Sequence, residues 1–150
     1  MKQYIGTKMI QAKPMTRGAY NEYRGWRIPA DENPEDEGYL VRYPDGYESW
    51  SPKAVFEDAY WETDGMNFGL ALEAAKDGER IARKGWNGKD MYVFLAYEPD
   101  FVTNADISAF DQQDVEVGDV LCMKTAQNTF QLGWLASQAD MLADDWYIVE

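Results

Sequence analysis

A tryptophan on a glycine-flanked turn, set among cations, is the group of residues in this chain best suited to chemistry. The segment is Arg83-Lys84-Gly85-Trp86-Asn87-Gly88-Lys89. Between Lys76 and Lys89 lie five of the 14 basic residues. An indole face can stack on a planar base, a cation beside it can meet a phosphate, and glycine lets backbone approach a ligand closely. Trp86 would then stack while Arg83, Lys84 or Lys89 contacts the anion. The same residues also suit a plain hairpin whose tryptophan covers a sheet edge and whose cations are solvated. Residue types alone favour that plainer arrangement.

A second segment, Trp134-Leu135-Ala136-Ser137-Gln138-Ala139-Asp140-Met141, places a tryptophan just before a helix start. Free N–H groups of a first helical turn can meet an anion. Ser137, Gln138 and Asp140 can hydrogen-bond a ribose or a base edge. The alternative is a capping box beside a core tryptophan. Two acidic pairs, Asp144 with Asp145 and Asp111 with Asp114, could serve acid–base work or hold a hard cation. Without a metal-ligand spacing around them, they read as solvated surface. No phosphate-binding loop, dinucleotide fingerprint, zinc spacing or nucleophile elbow is present.

These segments need a scaffold. Lys8 to Ala12 reads as a strand stopped by Pro14, which cannot donate to a ladder. Thr16 is a candidate cap for a helix through Tyr23, and residues 29–37, with five acids, read as a solvated loop. Asp45-Gly46 between Tyr39–Tyr43 and Tyr47–Trp50 marks a hairpin. Ser51 and Pro52 then suit the N-cap and first position of a helix burying Val55, Phe56 and Ala59. Beyond Asp64-Gly65, Asn67 can cap a helix whose apolar face is Phe68, Ala71, Leu72 and Ala75, with Gly78 after its end. Strands are expected at Arg80–Arg83, Met91–Ala96, Val120–Lys124, Thr129–Gln131 and Asp145–Val149, with a turn at Asn87-Gly88. Residues 97–119 hold seven acids and read as a solvated excursion. Ser137 caps a short helix with Asp140 at its third position.

The expected fold is therefore α+β. A small antiparallel sheet with short helices spans 66–150, preceded by a small α+β module over 1–62. The 150 residues, 45% hydrophobic, can bury a real core. A net charge of −13 argues against an extended nucleic-acid face. The absence of histidine removes Ser-His-Asp and Cys-His catalysis and histidine-ligated metals. An enzyme would have to work through carboxylates, lysine or tyrosine. The single Cys122, in an apolar run, reads as a buried thiol. With no span of ~20 apolar residues and no signal-peptide core at Met1-Lys2-Gln3-Tyr4, the expectation is a soluble protein of a reducing cytosol.

From Met66-Asn67-Phe68-Gly69, through Arg83–Lys89 and Met123-Lys124-Thr125-Ala126, to Trp134–Trp146, the chain resembles the Thoeris anti-defence 2 family of phages and prophages. Gln127-Asn128 stands where that family often has Asp-Gly, and Ala139 where a threonine is common. The first unit resembles a module common in phage proteins around Lys13-Pro14-Met15-Thr16 and Gly46–Pro52. The family resemblance implies a sponge that sequesters cyclic nucleotide-derived immune signals, above all glycocyclic ADP-ribose, with some members also taking cyclic dinucleotides. It implies a homotetramer in the host bacterial cytosol, with pockets between subunits and no catalysis, cofactor, metal, nucleic acid or membrane partner. It assigns stacking to Trp86 and Trp134 and a lining role to Phe68. It gives hydrogen bonds to Asn87, Ser137, Gln138 and Asp140, and pyrophosphate neutralisation to Arg83 or Lys124. Two other classes stay open: a phosphodiesterase-like enzyme that degrades the same signals, and an acidic protein that inhibits a host defence enzyme.

Overall fold

The computed structural model describes residues 1–97 and 118–150. It divides into two compact units, Met1–Trp61 and Glu62–Glu150, and has an α+β fold of short helices on antiparallel sheets. Among the described residues, no helix is long and apolar enough to cross a membrane.

In the first unit, β1 (Gln11–Pro14), β2 (Gly38–Arg42) and β3 (Glu48–Pro52) form an antiparallel sheet in the order β1-β2-β3. Helix α1 (Arg17–Tyr23) starts at Thr16, whose hydroxyl accepts from the Ala19 N–H at 3.2 Å. The hairpin turn brings the Gly46 N–H to the Tyr43 carbonyl, and Gly46 takes a φ of 84° that glycine tolerates best. Glu32, expected to be solvated, accepts from Arg17 Nε at 2.8 Å and from the Asn21 amide at 3.0 Å. That closes part of the acidic loop onto α1.

Three expectations for this unit need correction. The first strand lies later than 8–12 and includes Pro14, which a missing N–H permits at the end of an edge strand. Ser51 and Pro52 finish β3, paired to Tyr39 and Gly38, and α2 (Lys53–Ala59) begins without a side-chain cap. Ladder pairing competed successfully with the local capping signal. Helix α2 also lacks a buried face: Val55 is exposed, and Phe56 is held by stacking on Tyr39 and Tyr60 at 4.1 and 5.0 Å.

Among the described residues, the second unit holds a five-stranded antiparallel sheet. Its strands are β4 (Ile81–Arg83), β5 (Tyr92–Ala96), β6 (Val120–Lys124), β7 (Phe130–Leu132) and β8 (Trp146–Ile148), in the order β7-β6-β5-β4-β8. Register aligns Ile148, Ile81, Val93 and Met123 in one row across it. Helix α3 (Phe68–Lys76) joins this core through Ala71, Ala74 and Ala75, which add little bulk between helix and sheet. Asn67 caps α3 by accepting from the Leu70 N–H at 3.0 Å, and Gly78 follows the helix with a φ of 96°. Cys122 is buried, which pushes its thiol pKa up. The acidic stretch 97–119 lies, apart from exposed Tyr97, Gly118 and Asp119, outside the described residues.

The departure at Gln127-Asn128 has a simple basis. Asn128 carries a φ of 62°, the left-handed conformation that asparagine tolerates better than most residues. The turn therefore closes without glycine, helped by a 2.8 Å contact between the hydroxyls of Thr125 and Thr129.

Candidate functional site

The site grows from one end of the core row. Residues two apart on a strand share a face, so Ile81 in the core places Arg83 on the same face, one step further along β4 and opposite Trp146 on β8. Trp146 is fully buried, and three rings surround it. Trp86 lies 5.4 Å away, Trp134 6.3 Å and Phe68 5.4 Å, centroid to centroid. Trp86 and Trp134 also touch one another edge-on, at 6.1 Å with planes 71° apart. These are favourable T-shaped contacts.

Asp140 orders this corner. It is the third residue of α4 (Gln138–Met141), whose N-cap is Ser137. Its Oδ2 accepts from the Ser137 N–H at 3.0 Å and from the Ser137 hydroxyl at 2.7 Å. Its Oδ1 accepts from Trp86 Nε1 at 3.0 Å and from Arg83 Nη1 at 2.9 Å. Its main-chain carbonyl accepts from Trp146 Nε1 at 2.9 Å. The capping box is thus complete, and both carboxylate oxygens are engaged. It also ties up the Asp140 N–H, which donates to Ser137 Oγ at 3.1 Å, so this donor is not open to an anion.

Arg83 is held from a second side by Asp145, whose Oδ1 accepts from Nε at 2.8 Å. Asp145 Oδ2 accepts from the Gly85 N–H at 2.8 Å. A side chain at position 85 would place its Cβ 2.8 Å from that oxygen, so a larger residue there would displace the Asp145 carboxylate. Asp145, expected to be solvated, is instead a structural partner of the turn.

Burial pushes the Asp140 pKa up, but hydrogen bonds from Ser137, Trp86 and Arg83 outweigh it and hold the carboxyl at about 2. Hydrogen bonding to Arg83 likewise lowers Asp145. A depressed folded-state pKa gives stability that is present above the unfolded value near ~4 and lost as pH falls through the folded value. The stability gap between the wild type and Asp140→Asn, whose amide cannot titrate, is therefore expected to shrink below about pH 4. Thermal unfolding followed by tryptophan fluorescence reads this directly. A gap unchanged down to about pH 2.5 would show that the carboxylate carries no such linkage.

Beside the turn lies a shallow depression of about 340 Å³, lined by Asp64, Arg83, Lys84, Trp86, Met91 and Tyr147 among others. The fold thus brings Phe68, Arg83, Trp86, Trp134, Ser137 and Asp140 into one neighbourhood around Trp146. Asn87 and Gln138 are exposed at its margin. Lys124 lies outside the aromatic corner, its amine donating at 3.0 Å to the carbonyl of Asp90, which lines the depression. Sequence reasoning left Trp146, Asp145, Asp64 and Tyr147 out of the site. For Asp145, Trp146 and Tyr147 the local signal was the Asp-Asp-Trp-Tyr run at 144–147, which reads equally well as a loop leading into a strand.

The geometry limits how a base can be held. A base sandwiched between two indoles needs nearly parallel rings separated by two contact gaps of about 3.5 Å each. Trp86 and Trp134 stand at 71°, so a single chain cannot offer both to the two faces of one base.

Residues 66–149 match the Thoeris anti-defense 2-like domain family. The chain is also similar to a protein named Thoeris anti-defense 2 from Bacillus phage SP01. The two are 39% identical over 85 residues, which span 56% of this chain and 94% of the phage protein.

Proposed function

The chain belongs to the Thoeris anti-defense 2-like family, and from that premise we propose that it is a phage anti-defence protein that binds cyclic nucleotide-derived immune signals and holds them without degrading them. Glycocyclic ADP-ribose is the first ligand in this reading, and cyclic di- and trinucleotides are a further class. Sequestration in the host cytosol would blunt Thoeris and CBASS immunity.

The observation that carries the proposal is the way Trp86 is presented. Its indole N–H is fixed by Asp140, it makes T-shaped contacts with Trp134 and Trp146, and it lines an open depression. A half-buried ring locked in one orientation is preorganised for stacking, so little ordering cost is left at binding. In this proposal Trp86 and Trp134 stack on the signal and Phe68 supports the corner. Asn87, Ser137 and Gln138 supply polar contacts at its margin. Arg83 and Asp140 act mainly as positioning residues, because each is engaged within the chain.

Assembly into a homotetramer belongs to the same proposal. One chain cannot sandwich a base, so a second subunit would supply the opposite wall. Exposed Leu135, Met141 and Leu142, with Phe130 and Leu132 on the sheet-edge strand β7, are the kind of apolar surface that subunit contacts cover.

A thermal-shift screen tests ligand binding. Glycocyclic ADP-ribose should raise the unfolding midpoint, with the rise growing as the logarithm of ligand excess. A midpoint unmoved by it and by cyclic di- and trinucleotides would reject the proposal.

A further inference from the structure

We propose that Lys84, rather than Arg83, meets the anionic group of the bound signal, and that Asp64 is the carboxylate Lys84 leaves when the anion arrives. This rests on the reading of the site as a nucleotide-signal pocket and identifies the cation that pocket uses.

Arg83 is poorly placed for the task. Asp145 accepts from its Nε at 2.8 Å and Asp140 from its Nη1 at 2.9 Å. Its side chain is only 16% exposed. One guanidinium between two carboxylates leaves a local excess of negative charge, which repels a phosphate. Recruiting Arg83 would also strip partners from two carboxylates. Lys124 is tied to the Asp90 carbonyl.

Lys84 differs on each point. Its main-chain N–H donates to the Asp145 carbonyl at 3.1 Å, which fixes its root, while its side chain is 56% exposed and lines the depression. The ammonium reaches Asp64 at 3.9 Å, and Asp64 is 73% exposed. A long, solvated pair of this kind contributes little stability and is easily exchanged for a stronger partner. A phosphate, with more charge and more acceptor oxygens, is such a partner. Trp86 and Tyr147 line the same depression as apolar aromatic walls, and the carboxylate of Asp90 can accept from a ribose hydroxyl. A sugar phosphate carrying a flat base matches this set of groups.

The test is calorimetric titration of the full chain with glycocyclic ADP-ribose over a series of NaCl concentrations. Lys84→Gln should bind about tenfold more weakly and lose much of the salt dependence. Asp64→Asn should bind several-fold more tightly, since the competing carboxylate is gone. Both side chains are solvated, so both variants should keep the wild-type unfolding midpoint. Wild-type affinity and salt dependence in Lys84→Gln would overturn the assignment, as would weaker binding by Asp64→Asn. Binding absent from the wild type itself would overturn both this inference and the function on which it rests.

Discussion

Trp86→Ala is expected to weaken binding of glycocyclic ADP-ribose about a hundredfold. Stacking on one aromatic face contributes ~1–3 kcal/mol per base, and the loss falls at the upper end when the ring is already locked in place. Trp86 meets that condition through its contacts to Asp140, Trp134 and Trp146. The same contacts mean the variant also loses packing, at a cost of about 2–4 kcal/mol for a large half-buried ring. Trp86→Phe separates the two effects. It keeps a stacking face and gives up the hydrogen bond to the charged Asp140 carboxylate, worth ~1.5–3 kcal/mol. Calorimetry should therefore rank wild type, then Trp86→Phe within several-fold, then Trp86→Ala far below. Equal affinity in all three would remove Trp86 from the site.

The second large effect is on stability. Asp140→Asn should destabilise the second unit by about 3 kcal/mol, because breaking one side of a well-paired, nearly buried ion cluster leaves its partner charge uncompensated. The amide can replace only some of the four side-chain acceptor contacts, and its NH2 group would face a donor wherever it points. For a unit of this size the loss lowers the unfolding midpoint by roughly 10 °C or more. Part of it is the reciprocal bond of the capping box, from the Ser137 N–H to the Asp140 carboxylate, and part is Arg83, left with Asp145 alone. A midpoint within about 2 °C of wild type would show that the network contributes little.

Local signals were legible because their physics is local. Thr16, Asn67 and Ser137 cap the helices they precede, and the Asp45-Gly46 turn joins two strands that pair around it. The capping box at Ser137 and Asp140 was readable from a spacing of three residues. What Asp140 also does was not legible. Its bonds to Arg83 and Trp86 span 57 and 54 positions, and Asp145 reaches Arg83 across 62. An Asp-Asp dipeptide carries no mark of such a partner, so it reads as surface. Trp146 reads as one more strand residue, yet the aromatic corner is built around it. Where a local preference met a ladder, the ladder prevailed: Ser51 and Pro52 look like a helix start but pair as a strand. The tryptophan turn connects β4 and β5, and its ring is half-buried, packed on Trp134 and Trp146 while lining the depression.

The central claim is that the signal is held and not broken. The most direct measurement mixes the purified full chain in excess with glycocyclic ADP-ribose until free signal disappears, denatures the protein by heat, and quantifies the small molecule released. Full recovery of the intact signal, in proportion to the amount bound, is the expected result. Recovery of a hydrolysed product would mean that the chain is an enzyme acting on its ligand, and would contradict the account.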